Sequence, residues 1–150
     1  MNVTSLRHYR RQLEDMLRAE LSVLERTLEV SVARKTDLQE SVDRAADRFQ
    51  SALGLGLSCD EMIEQTRDLE GRTVAARHAL TLMTDARERW EQKRADVIEA
   101  ARDRKTLELL EQRRLHQRML RLNRLEQQAL DEAAHIRFLR SERLGARHES

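Results

Sequence analysis

The 150-residue chain has no proline, one cysteine, four glycines and only 3% aromatic residues. Without proline, nothing in the sequence forces a helix to kink or stop. With 37% of the residues charged and so few aromatics, the apolar bulk is too small for a wide globular core. A single thin seam is what remains possible. The lone cysteine, Cys59, excludes an internal disulfide and fits a reducing compartment, where it reads as an idle thiol beside a loop. No long apolar run exists either. The longest uncharged stretch, Phe49 to Cys59, carries two glycines and is too short to span a bilayer. The first residues, Met1 to Arg7, lack the apolar core and small-residue cleavage site of a secretory signal, which predicts a cytoplasmic protein. An excess of one charge sign is missing too: 28 Lys and Arg stand against 27 Asp and Glu, so no global field draws in nucleic acid or an anionic membrane.

What is present is a composition of helix formers, Ala, Glu, Leu, Arg and Gln, with apolar residues at helical spacing. Leu17, Leu21, Leu24, Leu28, Leu38, Val42, Ala45, Phe49 and Ala52 follow one another mostly in steps of three and four, with a polar gap at Ser31 and Lys35. That is a heptad seam, and the polar gap penalises shifted registers. The only strong break is Leu53-Gly54-Leu55-Gly56-Leu57-Ser58-Cys59-Asp60-Glu61. There Gly54 and Gly56 are suited to the left-handed conformation that ends a helix, and Ser58 with Glu61 reads as a capping box that starts the next one. A second seam through Met62, Leu69, Ala76, Leu80, Met83, Trp90 and Val97 follows, with Thr66, Thr73, Arg87 and Arg94 at other inner positions. Near Ala101 the stripe is expected to change phase, giving a new series Leu115, Leu122, Ala129, Ile136. Gly71 softens one turn without ending the helix.

The predicted fold is all-α: two long helices in an antiparallel coiled-coil hairpin, with the second helix longer and overhanging. Helix 1 is expected over about 3–53, the turn over about 54–58 and helix 2 over about 59–143, followed by a short frayed tail, all in one domain. Folding about residue 57 sets Leu17 opposite Val97, Leu24 opposite Trp90 and Phe49 opposite Thr66. Everything after about residue 112 then lacks a partner from its own chain.

Candidate chemistry is sparse. His8, His78, His116, His135 and His148 form no metal-ligand spacing, and neither a phosphate loop nor a nucleophile elbow is present. Neighbouring carboxylates such as Asp131 and Glu132 point about 100° apart on a helix, with no concavity between them to hold a substrate. We therefore expect no enzyme, no cofactor and no metal. The C-terminal third is rich in arginine, most densely at Arg113, Arg114, Arg118 and Arg121, but interleaved acids and the scarcity of stacking aromatics argue against nucleic acid. These arginines fit either a solvated face or an acidic protein partner met in fork geometry. The apolar stripe discriminates better. Leu115, Met119, Leu122, Leu125, Leu130 and Ile136 would bury several hundred Å² against another protein, about 5 to 10 kcal/mol gross. Two such segments pairing into a generic coiled-coil scaffold is the simplest alternative.

Two stretches carry a family likeness: Lys105-Thr106-Leu107-Glu108-Leu109-Leu110-Glu111-Gln112-Arg113-Arg114, and Leu125-Glu126-Gln127-Gln128-Ala129-Leu130-Asp131-Glu132-Ala133-Ala134. This run resembles the C-terminal signature of the FliJ family of flagellar type III export proteins. The resemblance implies a coiled-coil stalk that enters the hexameric flagellar export ATPase, similar to the gamma subunit of rotary ATP synthases. It further implies contact with the large membrane subunit of the export gate, escort of export chaperones and peripheral association at the inner face of the cell membrane. Carried onto this chain, the ATPase-facing candidates are Arg113, Arg114, Leu130, Asp131, Glu132 and Ala134, joined by Leu115, Arg118, Met119 and Leu122 of the uncovered stripe. Gate-facing candidates are Val42, Phe49 and Ala76. The equivalent stalk of a virulence injectisome is the nearest alternative.

Overall fold

The computed structural model describes residues 3–148, with side chains through residue 146. The chain forms two helices, α1 (Val3–Leu55, 53 residues) and α2 (Cys59–His148, 90 residues), with no strand among the described residues. Helix α1 runs two residues beyond its expected end, and α2 continues past residue 143 to His148, where a frayed tail was expected. The described part falls into two compact units: His8–Asp103, and the residues up to Arg7 together with those from Arg104 onward.

In the unit His8–Asp103 the two helices fold back antiparallel about the break. The turn itself is shorter than its sequence suggests. Gly56 alone adopts a positive φ, 90°, and its N–H reaches the Leu53 carbonyl at 3.3 Å, while Gly54 is still helical. A Cβ at either glycine would meet open space, so φ decides the outcome. Gly56→Ala is therefore expected to cost about 1–2 kcal/mol through left-handed strain. Gly54→Ala should be neutral or slightly stabilising, and thermal melts of the two variants check the contrast.

The capping box forms as expected. The Glu61 N–H donates to Ser58 Oγ at 3.3 Å, and the Ser58 N–H donates back to Glu61 Oε2 at 2.9 Å. That backbone hydrogen bond, then the one with the Ser58 hydroxyl, holds the Glu61 carboxyl below the usual glutamate range. A lowered folded-state pKa stabilises at pH above the ordinary glutamate value and fades as pH falls through the lowered one. Ser58→Ala is expected to lose about 1 kcal/mol at neutral pH. Only the part of that deficit carried by the Ser58 hydroxyl on the Glu61 carboxylate should fade in acid as Glu61 protonates, which melts across a pH series would show.

The α1 seam is as predicted and reaches further toward the N-terminus. Leu13, Leu17, Leu21, Leu24, Leu28, Ser31, Lys35, Leu38, Val42, Phe49 and Ala52 are half-buried, while Ala45 and Glu14 are buried. Glu14 is a charge taken into this seam, paired with Arg18 at 2.6 Å. Three cross-helix contacts fix the register: Arg10 to Asp103 at 2.9 Å, Lys93 to Glu20 at 2.6 Å, and Arg72 to Ser41 Oγ. They step up α1 and down α2 by equal numbers of residues, the alignment that sets Leu17 across from Val97. Lys93, hydrogen-bonded to Glu20, has its pKa raised. That contribution is complete below the ordinary lysine value and is lost as pH rises through the raised one.

The α2 seam is where the sequence misled. Leu69, Ala76, Met83, Trp90 and Val97 face inward, but the seam positions that alternate with them are Gln65, Arg72, Ala79, Ala86, Lys93 and Ala100. Leu80 and Met62, expected in the seam, are exposed, as are Thr66, Arg87 and Arg94; of the other expected inner positions, Thr73 is half-buried. Ala79, at 3% exposure, is the most deeply buried apolar residue. The alanines among these points are buried, and beside Ala79 the bulky Leu80 is left outside. Trp90 lies against the seam with the Arg94 guanidinium 5.4 Å from its ring centroid.

Candidate functional site

The second unit contains the segment that the sequence marks as a docking surface. Here Val3 and Leu6 of α1 and Arg104, Leu107, Glu108 and Glu111 of α2 are half-buried, and Arg7 pairs with Glu111 at 2.8 Å. Past Glu111 every described residue is exposed. Near Ala101 the half-buried set broadens to include Ala101, Asp103 and Glu108, and Ala101 and Glu108 stand at seven-residue steps before Leu115. Half-buried positions continue in steps of three and four through Arg104, Leu107 and Glu111, and Leu115 follows Glu111 by one further step of four. The face that is covered at 104–111 thus runs on uncovered.

Leu115 is 60% exposed, Met119 62%, Leu122 51% and Leu130 69%, values far above those of seam leucines. Leu125 and Ile136 share the stripe, while Phe138 and Leu120 lie on the opposite side of the helix and are also exposed. A contiguous apolar stripe of this length on a charged helix marks an interaction surface. On its flank stand Arg114, Arg118 and Arg121, with Arg113 behind them. None of these four makes an ion pair or side-chain hydrogen bond among the described residues, nor do Asp131 and Glu132. Their donors and acceptors remain available to a partner. Ala134 is exposed between these acids and Ile136. The structure thus brings all ten ATPase-facing candidates onto one uncovered helical segment, on several of its faces.

The gate-facing candidates sit differently. Val42 and Phe49 are half-buried and Ala76 is buried, all three in the seam of the hairpin, where their first role is to hold α1 against α2. The outward surface of that region is a groove that the sequence reading missed. Ser41, Arg44, Asp47, Arg48 and Arg72 enclose an open volume of about 530 Å³. Arg72 is fixed in it by Asp68 at 2.9 Å and by Ser41, whereas Arg44 and Arg48 have no partner among the described residues. These residues come from both helices, so no run in the sequence announces them.

Other chemistry is sparse. Among the described residues no His, Cys, Asp and Glu group has metal-binding geometry, and no helix is long and apolar enough to cross a membrane. Cys59 is exposed at the start of α2.

Compared with known proteins, the chain matches the family described as "Flagellar FliJ protein" over residues 2–143. No curated protein and no solved structure gives a significant match.

Proposed function

The chain belongs to the flagellar FliJ family and is therefore a component related to flagellar protein export; from that premise we propose that it is the coiled-coil stalk of the export apparatus. In this reading the uncovered segment after Glu111 docks in the hexameric export ATPase. Leu115, Met119, Leu122 and Leu130 supply the apolar contact. Arg113, Arg114 and Arg118 engage carboxylates of the ring, and Asp131 and Glu132 engage its cations. The observation that carries this reading is the continuity of the seam: one face is covered up to Glu111 and bare beyond it.

The hairpin unit would meet the large membrane subunit of the export gate, holding the protein peripherally at the membrane. Because Val42, Phe49 and Ala76 are occupied by helix packing, the partner would touch the groove of Arg44, Arg48 and Arg72 beside them. Escort of export chaperones belongs to the same reading. Purified chain mixed with the flagellar export ATPase should co-elute with it and change its ring assembly and hydrolysis rate. A chain that neither co-elutes nor alters either property would overturn the proposal.

A further inference from the structure

The uncovered segment has an ordered charge pattern that the ATPase reading does not use. From Gln112 to Leu125 there are five arginines and no acid; from Leu125 to Ile136 there are three acids and no lysine or arginine. A block of one sign followed by a block of the other is self-complementary when two copies lie head to tail. In the parallel orientation the same blocks would face their own sign within a Debye length of about 8 Å.

Two apolar pairs obey the same symmetry. If two segments cross between Leu125 and Glu126, Leu115 of one faces Ile136 of the other, and Leu122 faces Ala129, large against small. Arg118 and Arg121 approach the stretch holding Glu132. Each stripe offers several hundred Å², which together reaches the roughly 1,000 Å² that a specific interface needs. The face involved is also the direct continuation of one that already packs on a helix at 104–111.

We propose that a second copy of this chain covers the stripe, the two C-terminal segments pairing antiparallel with their crossing point between Leu125 and Glu126. The pairing is reversible, since Ala129 and the interleaved charges make it a weaker seam than the intramolecular one. It forms without the ATPase and does not depend on that reading. Where both hold, the pair and the ring compete for one surface, so dimerisation keeps the stripe covered until the ATPase is met.

Sedimentation equilibrium of the full chain alone, at about 1 to 100 µM, is expected to show a monomer–dimer equilibrium. Leu122→Asp should raise its dissociation constant at least about tenfold without loss of helicity by circular dichroism. Orientation is read by oxidation in a Cys59→Ser background. An equimolar mixture of Leu122→Cys and Ala129→Cys chains should give the mixed disulfide, with little of either symmetric one. A chain that is monomeric throughout, or a dominant Leu122→Cys self-disulfide reporting parallel pairing, overturns the proposal. Because no ATPase is present, neither result bears on ATPase docking.

Discussion

Truncation after Gln112 is expected to abolish co-elution with the flagellar export ATPase while leaving the hairpin folded. The removed residues are exposed throughout their described length, so their loss uncovers no core. What disappears is the apolar stripe and the arginines beside it. Interface energy concentrates in a few well-buried apolar and arginine anchors, and losing all of them should weaken binding by at least about 100-fold. The paired substitution Leu115→Asp with Leu122→Asp tests the same claim in a full-length chain. It should reduce affinity by about one to two orders of magnitude by placing two unpaired carboxylates on the docking face. Far-ultraviolet circular dichroism and a thermal melt would show whether the hairpin is intact in both. Full binding by the truncated chain would move the docking surface to residues before Arg113.

Ala86→Asp is expected to lower the unfolding free energy by about 2–4 kcal/mol, although a change from alanine looks modest in the sequence. Ala86 is buried in the seam between α1 and α2, with 7% of its surface exposed. A carboxylate there must splay the helices or remain desolvated without a partner. Six residues before it, Leu80 is 46% exposed, so Leu80→Ala should cost under about 1 kcal/mol. Chemical denaturation of the two variants would invert the ranking that hydrophobicity alone suggests. A larger effect at Leu80 than at Ala86 would mean that α2 is rotated from the orientation described.

That inversion explains how much of the fold was legible. Helix α1 marks most of its seam positions with a leucine, valine or phenylalanine, so its inward face could be read from the sequence. The capping box and the position of the turn were equally clear, because Ser58, Glu61 and Gly56 act locally, and the turn then set the register borne out by Arg10–Asp103 and Lys93–Glu20. Helix α2 alternates large residues with Ala79, Ala86 and Ala100, or with Gln65, Arg72 and Lys93. Whether Ala79 or its neighbour Leu80 faces inward depends on how closely α1 approaches, which periodicity in one helix does not encode. The same slip of one position placed Thr66, rather than Gln65, in the seam.

The candidate site was legible for a different reason. Its exposure follows from where the turn lies along the chain, a property that one glycine-rich segment decides. The arginine groove was hidden because Arg44 and Arg48 lie far from Arg72 in sequence and come together only after the arms fold.

Hydrogen exchange of the backbone amides, with and without the export ATPase, tests the central claim most directly. A helix that packs on nothing gains little from tertiary contacts and opens readily. In the free chain, held well below micromolar concentration, amides from about residue 112 to 140 should exchange fast, and those of the hairpin seam slowly. With the ATPase bound, protection should rise across 112–140 and change little through the seam. Protection unchanged over that segment, or gained only within the hairpin, would contradict the account.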